Sequence, residues 1–129
     1  MQKVTKKLKG EYIRHKLASN PVWALRGLTV IYNNQTDGEK ATECTHHTNK
    51  IGFTGTDGKF FTSLGKQYEV RKSLSPKQME FVLKRMPKYW NQILNITNER
   101  KLVSCMFSDG WLDSQDVDAY EQKQFLEVI

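Results

Sequence analysis

Leu74-Ser75-Pro76-Lys77-Gln78-Met79-Glu80-Phe81-Val82-Leu83-Lys84-Arg85-Met86-Pro87-Lys88-Tyr89-Trp90 is the stretch that decides the fold. Ser75 suits an N-cap, Pro76 at N1 lacks an N–H that the helix would leave unpaired, and Gln78 at N3 completes a capping box. Leu74 at N′ and Met79 at N4 are placed to close over the cap as a hydrophobic staple. Met79, Val82, Leu83, Met86, Trp90, Ile93 and Leu94 then recur at helical spacing and predict a core face. Pro87 falls inside that pattern, where its ring clashes with the Leu83 carbonyl, so the helix is expected to kink or to break in two. Lys77, Lys84 and Lys88, at i, i+7 and i+11, lie along one side of such a helix, with Arg85 beside them.

Upstream, Val4, Leu8, Tyr12, Ile13 and Leu17 predict a helix over 4–18 with lysines opposite. Asn20-Pro21 repeats the cap-and-proline signal and opens a second helix running to Tyr32. Leu28–Tyr32 has strand-like composition, but the cap and the sustained apolar face favour helix. Residues 33–58 are turn-rich, with Asn33-Asn34-Gln35-Thr36-Asp37-Gly38 followed by Gly52, Gly55 and Gly58. A stretch this long is unusual for a plain loop, so a small β-hairpin is expected near 42–54. Thr56 or Asp57 is expected to cap a third helix, 58–71, through Phe60, Phe61, Leu64 and Tyr68. Downstream, Leu102–Phe107 reads as a strand, Asp109-Gly110 as a turn, and 114–128 as a short acidic helix or tail. The expected fold is a mainly α domain of about four helices, with α+β left open. It forms a single domain over 1–129, with a helical body 1–98 and an acidic C-terminal segment 99–129.

The chain has 129 residues, 38% hydrophobic and 26% charged, the profile of one globular domain. Its net charge of +6 is uneven. Residues 1–26 carry seven Lys/Arg against one acid, 27–104 carry twelve against seven, and 105–129 carry one against six. A basic body favours polyanionic partners. No apolar run approaches the ~20 residues of a membrane span. The basic N-terminus is not followed by an apolar stretch, which predicts no signal peptide. Cys44 and Cys105 are then expected as free thiols of a cytoplasmic protein.

Several of these residues form a recognisable series. Trp23-Ala24-Leu25-Arg26, Tyr32, Gln35-Thr36, Gly52-Phe53-Thr54-Gly55-Thr56-Asp57, Ser63-Leu64, Leu74-Ser75-Pro76-Lys77-Gln78 and Lys84-Arg85-Met86-Pro87-Lys88-Tyr89 resemble a family of small proteins widespread in bacteriophages, prophages and plasmids. A shorter version of the pattern is similar to a segment near the start of some phage helicases of the annealing (HARP-type) class. The resemblance spans roughly residues 12–97. It implies a mobile-element context and a helical module near DNA metabolism, and it implies no catalytic residue.

Other chemistries find little support. Glu43-Cys44-Thr45-His46-His47 suggests a metal, but zinc sites come as two spaced pairs, and adjacent histidines in an extended segment point to opposite faces. An HNH-type nuclease needs later ligands, and no histidine follows His47. No Gly-x-Ser-x-Gly or P-loop is present, although a phosphate fits the N-terminus of the third helix beside Lys59. No catalytic residue, metal or cofactor is therefore expected. The best candidate is the basic helix: Lys77, Lys84, Arg85 and Lys88 for phosphates, Tyr89 for stacking on a base, and Lys3, Lys6, Lys7 and Arg14 in support. This predicts a non-enzymatic DNA-binding accessory protein acting in replication, recombination or repair. The alternative is a protein-binding inhibitor of a host factor, an anti-defence protein. The acidic end reads as a protein-docking peptide, an internal mimic of nucleic acid, or a helix packed through Tyr120, Phe125, Leu126 and Val128.

Overall fold

Side chains fix the helix starts. The computed structural model describes residues 4–34, 53 and 55–128, and opens with α1 (Lys6–Ser19), where Thr5 Oγ1 accepts the Leu8 N–H at 3.1 Å. In α2 (Pro21–Asn34), Asn20 Oδ1 accepts from the Val22 and Trp23 N–H groups at 3.0 and 3.4 Å. The strand-like run at its end is helical, with Leu28, Ile31 and Tyr32 all buried. Next come α3 (Gly55–Arg71) and α4 (Pro76–Arg85). The capping box is complete: Gln78 N–H donates to Ser75 Oγ at 3.1 Å, and Ser75 N–H donates to Gln78 Oε1 at 2.9 Å. Gln78 also exchanges side-chain amide hydrogen bonds with Gln67, at 2.8 and 3.0 Å, tying α3 to α4. Removing the hydroxyl in Ser75→Ala is expected to cost about 1 kcal/mol. The check is the chemical-denaturation midpoint, and an unchanged midpoint would contradict the role of this cap.

Pro87 breaks the helix. The Met86 N–H still reaches the Val82 carbonyl, after which the chain tightens into a 3₁₀ turn, Met86–Tyr89, before α5 (Trp90–Ile96). Of the expected apolar series Val82, Met86 and Ile93 are buried and Met79, Leu83, Trp90 and Leu94 partly so, while Tyr89 takes a buried place after the break.

Beyond α5 the expected strand is absent. Leu102–Phe107 lies within α6 (Glu99–Ser108), capped by Asn98 Oδ1, which accepts the Lys101 N–H at 3.0 Å. Its β-favouring composition yields to the cap and to helical spacing, which turns Leu102, Val103 and Met106 inward. Gly110 takes a left-handed φ of 81° in the following turn. A reciprocal Asp113–Asp116 box, with N–H to carboxylate distances of 3.0 and 2.8 Å, then starts α7 (Ser114–Val128). Leu102, Val103, Met106, Leu112 and Tyr120 share one core cluster with Tyr12, Leu28, Phe61 and Met86. The C-terminal segment is thus a packed pair of helices, and the fold has more helices than the four expected.

Two other boundaries move. The third helix begins at Gly55, so Asp57 stands inside its first turn instead of capping it. The expected hairpin near 42–54, Cys44, His46, His47 and Lys3 lie outside the described residues, apart from Phe53, which is buried.

Close helix crossings rest on glycine. A Cβ on Gly65 of α3 would stand 2.6 Å from Tyr32 Cδ1 and 3.0 Å from Tyr32 Cβ. The root of a ring cannot retreat without moving α2. One on Gly10 of α1 would meet the Trp90 indole at 2.6 Å. At Gly65 the close approach outweighs the ~1 kcal/mol that alanine normally adds over glycine inside a helix.

Candidate nucleic-acid interface

The basic stretch that opens the sequence divides into two parts at Pro87. Lys77 and Lys84 remain on α4, two turns apart and exposed, with no acid within ion-pairing distance among the described residues. Seven residues at helical rise separate them by about 10 Å. Lys88 lies in the 3₁₀ turn and leaves that line. It pairs instead with Asp57 Oδ2, while Arg85 Nη1 stands 3.8 Å from Asp57 Oδ1.

Asp57 is the residue that sequence reasoning missed in this role. Its carboxylate, 5% exposed, sits in the first turn of α3, where the helix dipole favours negative charge. The Tyr89 hydroxyl donates to Asp57 Oδ2, the oxygen that pairs with Lys88, at 3.2 Å. A Thr-Asp pair before an apolar stripe reads locally as a cap, and nothing in its immediate sequence points to α4. The available signal was a charge-balance one: an acid among glycines facing a segment rich in Lys and Arg.

Tyr89 cannot serve as the expected stacking ring. It is 2% exposed, its edge set against Phe53 and Phe61 at centroid distances of 5.6 and 5.8 Å. The 3₁₀ turn that carries Lys88 outward directs Tyr89 into the core. Trp90, expected wholly inside, is partly buried, with the Arg14 guanidinium 5.2 Å above its ring. Lys6 and Lys7 stand exposed at the start of α1, and no hydrogen bond or ion pair joins them to α4 among the described residues.

Further along α1, the lysines are not free. Lys9 pairs with Glu99, and Lys16 Nζ lies 2.8 Å from Asp109 Oδ2. The Tyr12 hydroxyl donates to Asp109 Oδ2 at 2.6 Å, and the Tyr120 hydroxyl donates to Glu99 Oε2 at 3.2 Å. Acids at both ends of α6 therefore neutralise one face of α1. The Lys9 hydrogen bond holds the Glu99 carboxyl below its usual range, against an opposing effect of partial burial. The Lys16 and then the Tyr12 hydrogen bonds do the same for Asp109. Burial, reinforced by Asp109, pushes the Tyr12 hydroxyl up.

Carboxyls depressed on folding add stability above their unfolded pKa values and lose it as pH falls through the folded ones. Docking of α6 and α7 is accordingly expected to weaken below about pH 4. Trp111 reports on it, since its ring meets Tyr12 edge-on at 5.2 Å. Its emission should shift on acidification in the parent and much less in a Glu99→Gln/Asp109→Asn variant. Identical acid profiles would contradict these assignments.

Among the described residues, no group of three His, Cys, Asp or Glu side chains is placed to hold a metal ion. Cys105 is a free, exposed thiol. No described helix is long and apolar enough to cross a membrane. A groove of about 260 Å³ lies between α6 and α7, lined by Val103, Phe107, Val117 and Tyr120 together with Arg100 and Glu121. No protein-family profile matches the chain, and neither a curated protein nor a solved structure matches it.

Proposed function

We propose that the chain is a non-enzymatic DNA-binding accessory protein of a phage or plasmid, working in the host-cell cytoplasm in replication, recombination or repair. The observation that carries the reading is the pair of exposed lysines on α4, Lys77 and Lys84, neither of them ion-paired among the described residues although Glu80 lies between them on the same helix. Cations spaced along one helix suit the phosphate backbone, whose charge recurs along each strand. Arg85 and Lys88 flank them, held by Asp57 at roughly half exposure. Lys6, Lys7 and Arg14 add charge from α1. The resemblance to small mobile-element proteins supplies the biological setting.

The test compares the parent with Lys77→Gln/Lys84→Gln by fluorescence anisotropy on a labelled 20-base-pair duplex and a labelled single strand of equal length. Binding should weaken in the variant, with a shallower salt dependence and little change in thermal midpoint, because both positions are exposed. Equal affinities for parent and variant would contradict the assignment.

A second reading has its own support. Phe107, 47% exposed, opens onto the α6–α7 groove. An apolar groove with an aromatic at its edge suits a protein partner, in line with an inhibitor of a host factor. Retained nucleic-acid binding in Phe107→Ala, with loss of a captured protein, would favour it.

A further inference from the structure

A chain of aromatic rings runs from the core to the surface. Phe53 stacks on Phe61 at 5.0 Å, Phe61 meets Phe81 at 5.5 Å, and Phe81 meets Phe60 at 4.5 Å. The first two are fully buried, Phe81 is partly buried, and Phe60 is 46% exposed. Apolar burial does not explain a phenyl ring left half in water at the end of such a chain. Its surroundings are cationic. Lys59 precedes it on α3 and is exposed, and the Arg85 guanidinium lies 5.3 Å above the Phe81 ring, next to exposed Lys84. Glu80 and Asp57 are the acids nearby; Asp57 is enclosed and stands 3.8 Å from Arg85, whose side chain nonetheless stays 47% exposed.

We propose that Phe60 is the base-stacking residue of a single-stranded nucleic-acid site, with Lys59, Lys84 and Arg85 holding the flanking phosphates. This rests on the nucleic-acid reading above and specifies its substrate class. An aromatic side chain standing among cations offers a π-face that any unpaired base can cover, whereas bases in a duplex already stack on one another. Phe81, itself packed on Phe61, braces the ring from behind. The position that Tyr89 was expected to fill thus passes to a residue on a different helix.

The experiment measures binding of a fluorescein-labelled deoxythymidine 15-mer and a labelled 15-base-pair duplex. Stacking of one base corresponds to roughly a 5- to 150-fold change in affinity. Phe60→Ala should therefore weaken 15-mer binding by about tenfold or more, with the salt slope unchanged because no charge is lost. Duplex affinity should stay within about twofold. Phe60→Leu retains apolar packing on Phe81 but has no ring, so it should lose the same factor; it serves as the reading if the alanine variant does not fold. Phe60→Trp should keep the affinity, and its added indole emission should be quenched by the 15-mer. The inference is overturned if Phe60→Leu binds the 15-mer as the parent does, or if single-strand and duplex affinities fall equally. Failure of the parent to bind either probe at low salt would remove the nucleic-acid reading itself, and this inference with it.

Discussion

Asp57→Asn is expected to lower stability while tightening nucleic-acid binding. Asparagine keeps the size of the side chain and an acceptor for the Tyr89 hydroxyl, but it removes the charge that Lys88 and Arg85 share. Breaking a fully buried ion pair costs about 3–5 kcal/mol, because one charge is stranded. Here the stranded charges are 41% and 47% exposed and turn to water, so the loss should be nearer 1–2 kcal/mol. Freed of their counter-charge, both cations become available to phosphate, steepening the log–log salt slope on duplex by up to about 0.9 for each. Thermal unfolding and anisotropy on the same preparation read the two effects. A variant that is destabilised but binds no better would show that Arg85 and Lys88 face away from the partner.

Tyr12→Ala should be the most damaging of these changes, at about 3–5 kcal/mol. Tyr12 is fully buried, meets Trp23 and Trp111 edge-on at 5.7 and 5.2 Å, and donates to Asp109. It joins α1 to the turn between α6 and α7, so truncation opens a cavity and releases the C-terminal helices together. Tyr12→Phe isolates the hydroxyl. Because Asp109 is partly exposed and can turn to water, that loss should be about 1 kcal/mol. Similar losses in the two variants, by urea denaturation, would contradict a packing role for the ring.

Much of this architecture was legible wherever local chemistry and periodicity agree. Ser75, Pro76 and Gln78 give the start of α4, Asn20-Pro21 gives the start of α2, and Pro87 gives the break between α4 and α5. Some signals fail because the deciding partner is remote in sequence, others because a local cap or turn overrides composition. Asp57 reads as a cap until α4 is laid beside it. Tyr89 reads as an outward ring because Lys88 is outward, yet a 3₁₀ turn rotates neighbours further apart than an α-helix does. Leu102–Phe107 looks like a strand by composition, and Asn98, four residues earlier, decides for helix. The acidic end looks like a tail by charge alone, but Glu99 and Asp109 are spent on Lys9 and Lys16 while Leu102, Val103, Met106, Leu112 and Tyr120 join the core. For the proposed site, a basic helix face is readable from the sequence, whereas the exposure of Phe60 is not. Phe60 and Phe61 both fit one apolar stripe, and only the packed structure shows which of them is left in water.

The central claim, a cationic surface built for a polyanion, is tested most directly by the salt dependence of binding. The intact protein is titrated onto a labelled 20-base-pair duplex across a series of salt concentrations. With Lys77, Lys84, Lys6 and Lys7 in contact, log affinity should fall linearly with log salt at a slope of about −3 to −4, or about −0.9 per phosphate contact. Affinity that is absent at low salt, or that does not change with salt, would contradict the account.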